Sequence, residues 1–274
     1  MADIDHLAIV QLDTRDAASG LALSTEAHWN QNEADWRFFL AKGVVFGVRD
    51  RDRPVATAAL LPYSSGNAWI SMVLVTADWR RRGIATKLVD TCLNTAIKLG
   101  LTAWLDATPA GTAVYGPLGF TPTLQLRRLR FERSAPEKAG APPSVFALGE
   151  LIARDTRAMG FDRSILLGEL GGRPHSRLAS NGGASTLVRD GRTARHIGPL
   201  FADSPDRALA LVRDIISSES GPLLIDTVAS QEKFLEGLIA TGWTIERPFQ
   251  RMRFGRATAK PSELPFAVAG PEYG

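Results

Sequence analysis

Three arginines, Arg80, Arg81 and Arg82, run straight into Gly83-Ile84-Ala85 within "DWRRRGIATKLV" (Asp78 to Val89), and an apolar helical pattern follows at once. Side by side, these charges repel, and near a helix N-terminus they also oppose the positive end of the dipole. That cost makes sense if an anion normally sits there. The first N–H groups of a helix have no intrahelical partner and offer such a site. Gly83 lets a phosphate approach where a Cβ would block it. Ala85 keeps the next turn small, Ile84 and Thr86 belong to the same first turn, and the guanidinium groups add charge around a pyrophosphate or ribose phosphate. The stretch has neither the Gly-Lys-Ser/Thr of a Walker loop nor Gly-x-Gly-x-x-Gly. A generic phosphate loop with these features could hold many nucleotides.

The rest of the chain narrows the setting. Its 274 residues allow one large domain or two small ones, and 45% apolar with 22% charged residues is a globular composition. A net charge of +3 is too mild to argue for nucleic acid by itself. Cys92, the single cysteine, excludes an internal disulfide and is expected to be a small buried residue on a helix. Four scattered histidines include no His-x-x-x-His pair, so no metal is expected. "MADIDHLAIVQLDTRD" has no basic start and no long apolar run. No segment approaches the ~20 apolar residues of a membrane helix. A cytoplasmic protein without membrane attachment is expected.

The elements that must position the loop follow from periodicity. The pattern predicts helices over Arg15–Trp29 and "NQNEADWRFFLAKG", the second with Asn32 as N-cap and Gly43 as a C′ glycine. Strands "VVFGVRD", "PVATAALLPY" and "AWISMVLV" come next, then the Arg-Gly helix over about Trp79–Leu99. "LTAWLDA" reads as a strand, "AGTAVYGPLG" as a short helix and "TPTLQLRRLRF" as a strand. This α-α-β-β-β-α-β-α-β order predicts an α/β fold with a mixed sheet and helices on both faces. "APEKAGAPPS" (Ala135 to Ser144) reads as a linker. Beyond it the pattern recurs. "GFTPTLQLRRLRF" (Gly119 to Phe131) aligns without gaps with "GWTIERPFQRMRF" (Gly242 to Phe254), "VLVTAD" is echoed by "PLFAD" and "LDA" by "IDT". A tandem duplication of one fold explains this order. Expected domains are therefore residues 1–134 and a degenerate copy over 145–274. The copy has no arginine triplet or turn glycine: Asp203, Ser204, Pro205 and Asp206 stand at its helix start.

Arg80-Arg81-Arg82-Gly83-Ile84-Ala85, following the strand "ISMVLV" and opening a long helix, resembles the Arg/Gln-x-x-Gly-x-Gly/Ala motif of the GNAT N-acetyltransferases. "VYGPLGF" resembles that family's "LYxxxGF". The resemblance covers roughly residues 4–134, and the whole chain resembles tandem-GNAT proteins. It implies two copies of the acyl-CoA N-acyltransferase fold, acetyl-CoA as co-substrate, and direct attack by an amine on the thioester carbonyl. The motif implies that Arg80 to Thr86 cradle the pyrophosphate. It also implies that the strand at Val73, Leu74 and Val75, splayed by a bulge, pairs with the pantetheine arm and polarises the carbonyl. Tyr115 falls at the position of the acid that protonates the leaving thiolate. Thr108 stands where many relatives have an asparagine on the pantetheine arm. For the base, Asp106 at the end of its strand and Glu26 near the acceptor cleft are candidates, with water as the alternative. Asp106 also has a structural reading, capping "ATPAG". Trp29, Asn30 and Trp69 are candidates for lining the acceptor pocket, and core is the alternative for each tryptophan. The basic run "RRLRFER" (Arg127 to Arg133) reads as a solvated edge strand.

The expected activity is acetyl transfer to a primary amine of a small molecule, by a monomer or homodimer, with the second half as a scaffold or a wall of the acceptor cleft. A catalytically weak CoA-binding or regulatory protein on the same fold is the alternative. A nucleic-acid-binding reading of the arginine runs would predict steep salt dependence.

Overall fold

The computed structural model describes residues 8–132, 147–257 and 260–274. The linker, and with it the expected boundaries at 134 and 145, lies outside the described residues. The first half runs β1 (Ile9–Leu12), α1 (Ala17–Glu26), α2 (Glu33–Lys42), β2 (Val44–Asp50), β3 (Arg53–Tyr63), β4 (Asn67–Val75), α3 (Ile84–Lys98), β5 (Thr102–Ala107), α4 (Pro109–Tyr115) and β6 (Thr121–Phe131). The second runs α5 (Leu148–Met159), α6 (Ser164–Gly172), β7 (Arg177–Asn181), β8 (Ala184–Arg189), β9 (Arg195–Ala202), α7 (Pro205–Ser218), β10 (Leu223–Val228), α8 (Glu232–Ala240) and β11 (Thr244–Phe254).

The expected order is present, with local differences that have physical causes. β1 has only four residues, too few for a strand period to show. α3 starts at Ile84 rather than Trp79, because Arg81 (φ 59°) and Gly83 (φ 73°) are left-handed and hold the preceding segment out of the helix. α1 stops at Glu26, before the left-handed His28. Asn32 caps α2 as expected, its side chain accepting from the Asp35 N–H at 3.1 Å, while Asp35 accepts from the Asn32 N–H. Gly43 is not a left-handed C′ residue. It is extended, and a Cβ there would lie 2.9 Å from the carbonyl oxygens of both Phe39 and Leu60.

Among the described residues the strands form one eleven-stranded mixed sheet, in the order β1-β2-β3-β4-β5-β11-β6-β10-β9-β8-β7. The two copies are not two separate sheets. β11 of the second half lies between β5 and β6 of the first, and β6 lies between β11 and β10. Their equivalence is close: the residue-by-residue burial patterns of β6 and β11 are identical. Gly119 and Gly242 precede them at φ 94° and 96°. Each copy's last strand has thus been exchanged for the other's. Two buried ion pairs hold the exchange. Arg128 of β6 donates from Nε and Nη2 to both oxygens of Asp226 on β10, each at 2.8 Å. Arg251 of β11 donates in the same way to Asp106 on β5, each at 2.9 Å. The basic run is therefore not a solvated edge: β6 is central and Arg128 is buried.

Apolar layers cover both faces. One joins α1 and α2 with α5 and α6 under Trp36, Phe39 and Trp69. α3 packs the other face of the first half, burying Cys92, whose thiol burial pushes up. α7 and α8 do the same for the second half. Among the described residues, no helix is long and apolar enough to cross a membrane.

Candidate active site

α3 opens without a side-chain cap, its N-terminus formed by left-handed Gly83, where a Cβ would meet nothing within 4 Å. The hollow in front of it is lined by Arg80, Arg81, Gly83, Ile84, Ala85 and Thr86, with Val75 and Trp79. The three arginines do different things. Arg80 donates to the Val75 carbonyl at 2.9 Å and lies 3.8 Å from Glu26. Arg82 folds back over Trp79, 5.0 Å from the ring centre, and donates to the Asp78 carbonyl. Arg81 is exposed at the hollow. Bare N–H groups, an open Cβ position and guanidinium charge fit a pyrophosphate.

β4 and β5 pair in parallel only from Asn67↔Thr102 to Trp69↔Trp104, and then part. The cause is a bulge. Opposite β3 the register jumps from Thr57↔Leu74 to Ala59↔Ser71, and Met72 is left-handed at φ 52°. The Thr57 hydroxyl pins the distortion by donating to the Met72 carbonyl at 2.8 Å. A cavity of about 110 Å³ opens in the gap, lined by Met72, Val73, Asp106, Thr108 and Tyr115. Its far wall comes from the exchanged strands and the last residues: Arg128, Arg247, Phe249, Pro271 and Glu272, with Trp29, Gln31 and Ser71 beside them.

The predicted residues divide clearly. Val73, Thr108, Tyr115, Trp29 and Asp106 line the cavity. Leu74 is a core side chain and does not line the cavity. The Tyr115 hydroxyl has no hydrogen-bond partner among the described residues, and burial pushes its pKa up to about 12. The Thr108 hydroxyl accepts from the Gly111 N–H and so caps α4, the task the alternative reading gave to Asp106. Asp106 as a free base does not fit, because both of its oxygens hold Arg251. Burial raises its carboxyl against the pull of that guanidinium. Asp226 does the same job, kept far below the usual carboxylate range by Arg128 and by His196, 2.9 Å away. Glu26 accepts from the Ala77 N–H at 2.7 Å, at the loop rather than in the cavity.

Two pocket expectations are corrected. Asn30 is buried as a bridge between the halves: its Oδ1 accepts from the N–H groups of Thr193 and Ala194 and from the Thr193 hydroxyl, and its Nδ2 donates to the Ala194 carbonyl. Trp69 is core, donating to the Pro271 carbonyl at 3.0 Å, stacked on Trp104 and covered by Arg251 at 4.7 Å. Arg247, Glu272, Gln31 and Ser71 escaped sequence reading, since neither motif nor period marks them.

The second half has the same gap and a different occupant. β9 and β10 pair from Arg195↔Leu223 to Ile197↔Ile225 and then part. Residues 266–268 enter there as an added strand. The Leu200 N–H donates to the Ala267 carbonyl at 2.9 Å, the Phe266 N–H to the Leu200 carbonyl at 2.9 Å, and the Val268 N–H to the Asp226 carbonyl at 3.0 Å. Its helix start is capped by Ser204, with Asp206 in the first turn. Phe234 and Leu238, near the tyrosine's place, are core.

Residues 9–120 match the Acetyltransferase (GNAT) family, and residues 151–267 match a second Acetyltransferase (GNAT) domain. An uncharacterized N-acetyltransferase of Bacillus subtilis, YitH, is 24% identical over 251 residues, covering 86% of this chain and 87% of its own. The crystal structure of a candidate acetyltransferase from Pyrococcus horikoshii superposes with a TM-score of 0.79 at 20% identity, over 99% of this chain and 97% of that one. A tandem GNAT protein from the clavulanic acid biosynthesis pathway superposes with a TM-score of 0.63 at 17% identity, over 92% and 100%. The structural likenesses show the fold.

Proposed function

Because the chain belongs to the GNAT acetyltransferase family, with two such domains in tandem, we propose that it acetylates a primary amine of a small molecule from acetyl-CoA at one site per chain. One observation carries the reading. β4 and β5 part beside a half-open cavity lined by Tyr115, and β4 runs on from that cavity at Val73 to the hollow before the bare start of α3 at Val75.

The residues fit the co-substrate. Gly83, Ile84, Ala85 and Thr86, with Arg80 and Arg81, would hold the pyrophosphate, and the free edge of β4 at Val73 to Val75 would pair with the pantetheine arm. When bound, acetyl-CoA supplies the activated acyl group. Backbone N–H groups released by the bulge at Met72 and Val73 would polarise its carbonyl. Tyr115, kept protonated by burial, would donate its proton to the departing sulfur. With Asp106 held by Arg251, Glu272 by Arg189, and Glu26 bound at Ala77 outside the cavity, no described carboxylate in the cavity is free as a base, and water takes the amine's proton.

A cavity of about 110 Å³ walled by both halves suits a small molecule better than a polypeptide, since it holds on the order of ten water-sized groups. The second half contributes that wall and binds no CoA itself. Residues 266–268 occupy its slot, and its helix start is acidic and capped.

Free-thiol release from acetyl-CoA across a panel of amines tests the transfer. Acetyl-CoA binding with no amine-dependent thiol release would favour the alternative, a CoA-binding protein on this fold.

A further inference from the structure

The far wall of the cavity carries one charge that no described residue balances. Asp106 is matched by Arg251, Arg128 by Asp226, and Glu272 by Arg189 at 2.9 Å. Arg247 lines the same cavity, half-buried, and makes no ion pair or hydrogen bond among the described residues.

Its position is built by a bulge. Along β11 the register passes from Ile245↔Leu129 to Arg247↔Arg128, so Glu246 is the extra residue, lying 3.7 Å from Arg130. Arg247 is thereby set directly across from Arg128. Like charges so placed disfavour each other, and of the two only Arg128 has its counter-charge, Asp226. The copy shows that the scaffold does not need this. In β6 the matching bulge falls at Thr123, and the residue equivalent to Arg247 is Leu124, across from Arg251. The duplication therefore departs from its own pattern where β11 meets the cavity. Two further polar atoms there are buried without partners, Gln31 Oε1 and Ser71 Oγ.

We propose that the acceptor is an amine that also carries a carboxylate, and that Arg247 grips that carboxylate. This rests on the amine-transfer reading above. A simple ammonium ion would be repelled by an uncompensated guanidinium, whereas an amino acid brings its own counter-charge. A carboxylate matches the guanidinium fork, and its single charge matches the single unbalanced one. Gln31 Oε1 is an acceptor for the N–H groups at the other end of such a molecule.

The test uses the full chain and pairs of acceptors that differ in the carboxylate: glycine and methylamine, β-alanine and ethylamine, phenylalanine and phenethylamine. Thiol release at saturating acetyl-CoA gives kcat/KM for each, and calorimetric titration onto the CoA-loaded chain gives binding. The carboxylated member should be preferred by roughly ten- to hundredfold, the scale of one charged hydrogen-bonded contact. Arg247→Leu, which installs the residue found at position 124, should erase the preference while acetyl-CoA affinity is unchanged. Arg247→Lys should retain part of it. Comparing each pair between parent and variant cancels the difference in amine basicity. Turnover without a carboxylate preference, or a preference that survives Arg247→Leu, overturns the proposal. So does an absence of both binding and turnover for every carboxylated probe. Arg247-dependent binding with no thiol release would instead sink the transfer reading and leave only the carboxylate grip of Arg247 standing.

Discussion

Removing Asp106 should damage the fold as much as removing Asp226, although only Asp106 lies beside the β4–β5 slot. Both carboxylates are fully buried, and each holds a guanidinium whose side chain is only 7% exposed. Asp→Ala at either place leaves that guanidinium buried without its partner, which costs about 3–5 kcal/mol. Set against a typical total of about 5–15 kcal/mol, the loss is large. For a chain of this size about 1 kcal/mol moves Tm by roughly 2–4 °C, so each variant should melt roughly 6–20 °C below the parent. Replacing both partners with apolar residues (Asp106→Leu with Arg251→Met) should cost far less than Asp106→Ala, because no charge is stranded. Calorimetric melting of the four proteins is the assay, with kcat measured at a temperature where all remain folded. If Asp106→Ala melts with the parent yet loses roughly 10²–10⁴-fold in kcat, the scale of a general base, the aspartate is chemical and the exchanged-strand anchor is wrong.

Gly83→Glu should abolish acetyl-CoA binding in a folded protein: the site has room for a Cβ, the left-handed φ of 73° costs about 1–2 kcal/mol, and the new charge faces the pyrophosphate. Titration should saturate near one equivalent in the parent and near none in this variant, and a residual equivalent would place a second site elsewhere. Tyr115→Phe should lower kcat by roughly 10²–10⁴-fold with acetyl-CoA affinity kept; an unchanged kcat would remove tyrosine as the acid. With its hydroxyl raised to about 12, Tyr115 stays protonated well into alkaline solution, so kcat should not fall up to about pH 10, where an unperturbed phenol is half ionised; a fall near 10 with a phenol titration signal would contradict this. Asn30→Ala should lower Tm and leave the acceptor KM alone, since it strands the buried N–H of Ala194; a raised KM at parent Tm would restore Asn30 to the pocket.

How far the sequence could be read depended on whether a feature was local. The start of α3 is local: arginines, a glycine and an apolar period within a dozen residues carry it, as an asparagine and an aspartate three apart carry the cap of α2. The duplication was visible because Gly119 to Phe131 and Gly242 to Phe254 keep their spacing. That likeness also hid the pairing. Arg128 and Arg251 are equivalent, as are Asp106 and Asp226, so nothing in the chain tells Arg128 whether to meet its own half's aspartate or the other's. The pairing is a tertiary choice, and a strand misread as an edge became a central one. It also rules out assaying the second half alone, because a chain beginning after the linker would lack β6, the strand between β10 and β11. Residues 266–274 escaped for a related reason. "FAVAGPEYG" has no strand or helix period, because its hydrogen bonds go to whatever slot receives it: Leu200, Asp226 and Val228 at one end, Trp69 and Arg163 at the other. Asn30 and Trp69 have side chains that pockets favour, but here they are spent on joining the halves. What a repeat does offer is an internal reference. Where two copies agree, as at the paired aspartates, the residue serves the shared scaffold. Where they part at the cavity, with Tyr115 against a buried apolar helix face and Arg247 against Leu124, the difference is what one half does and the other does not.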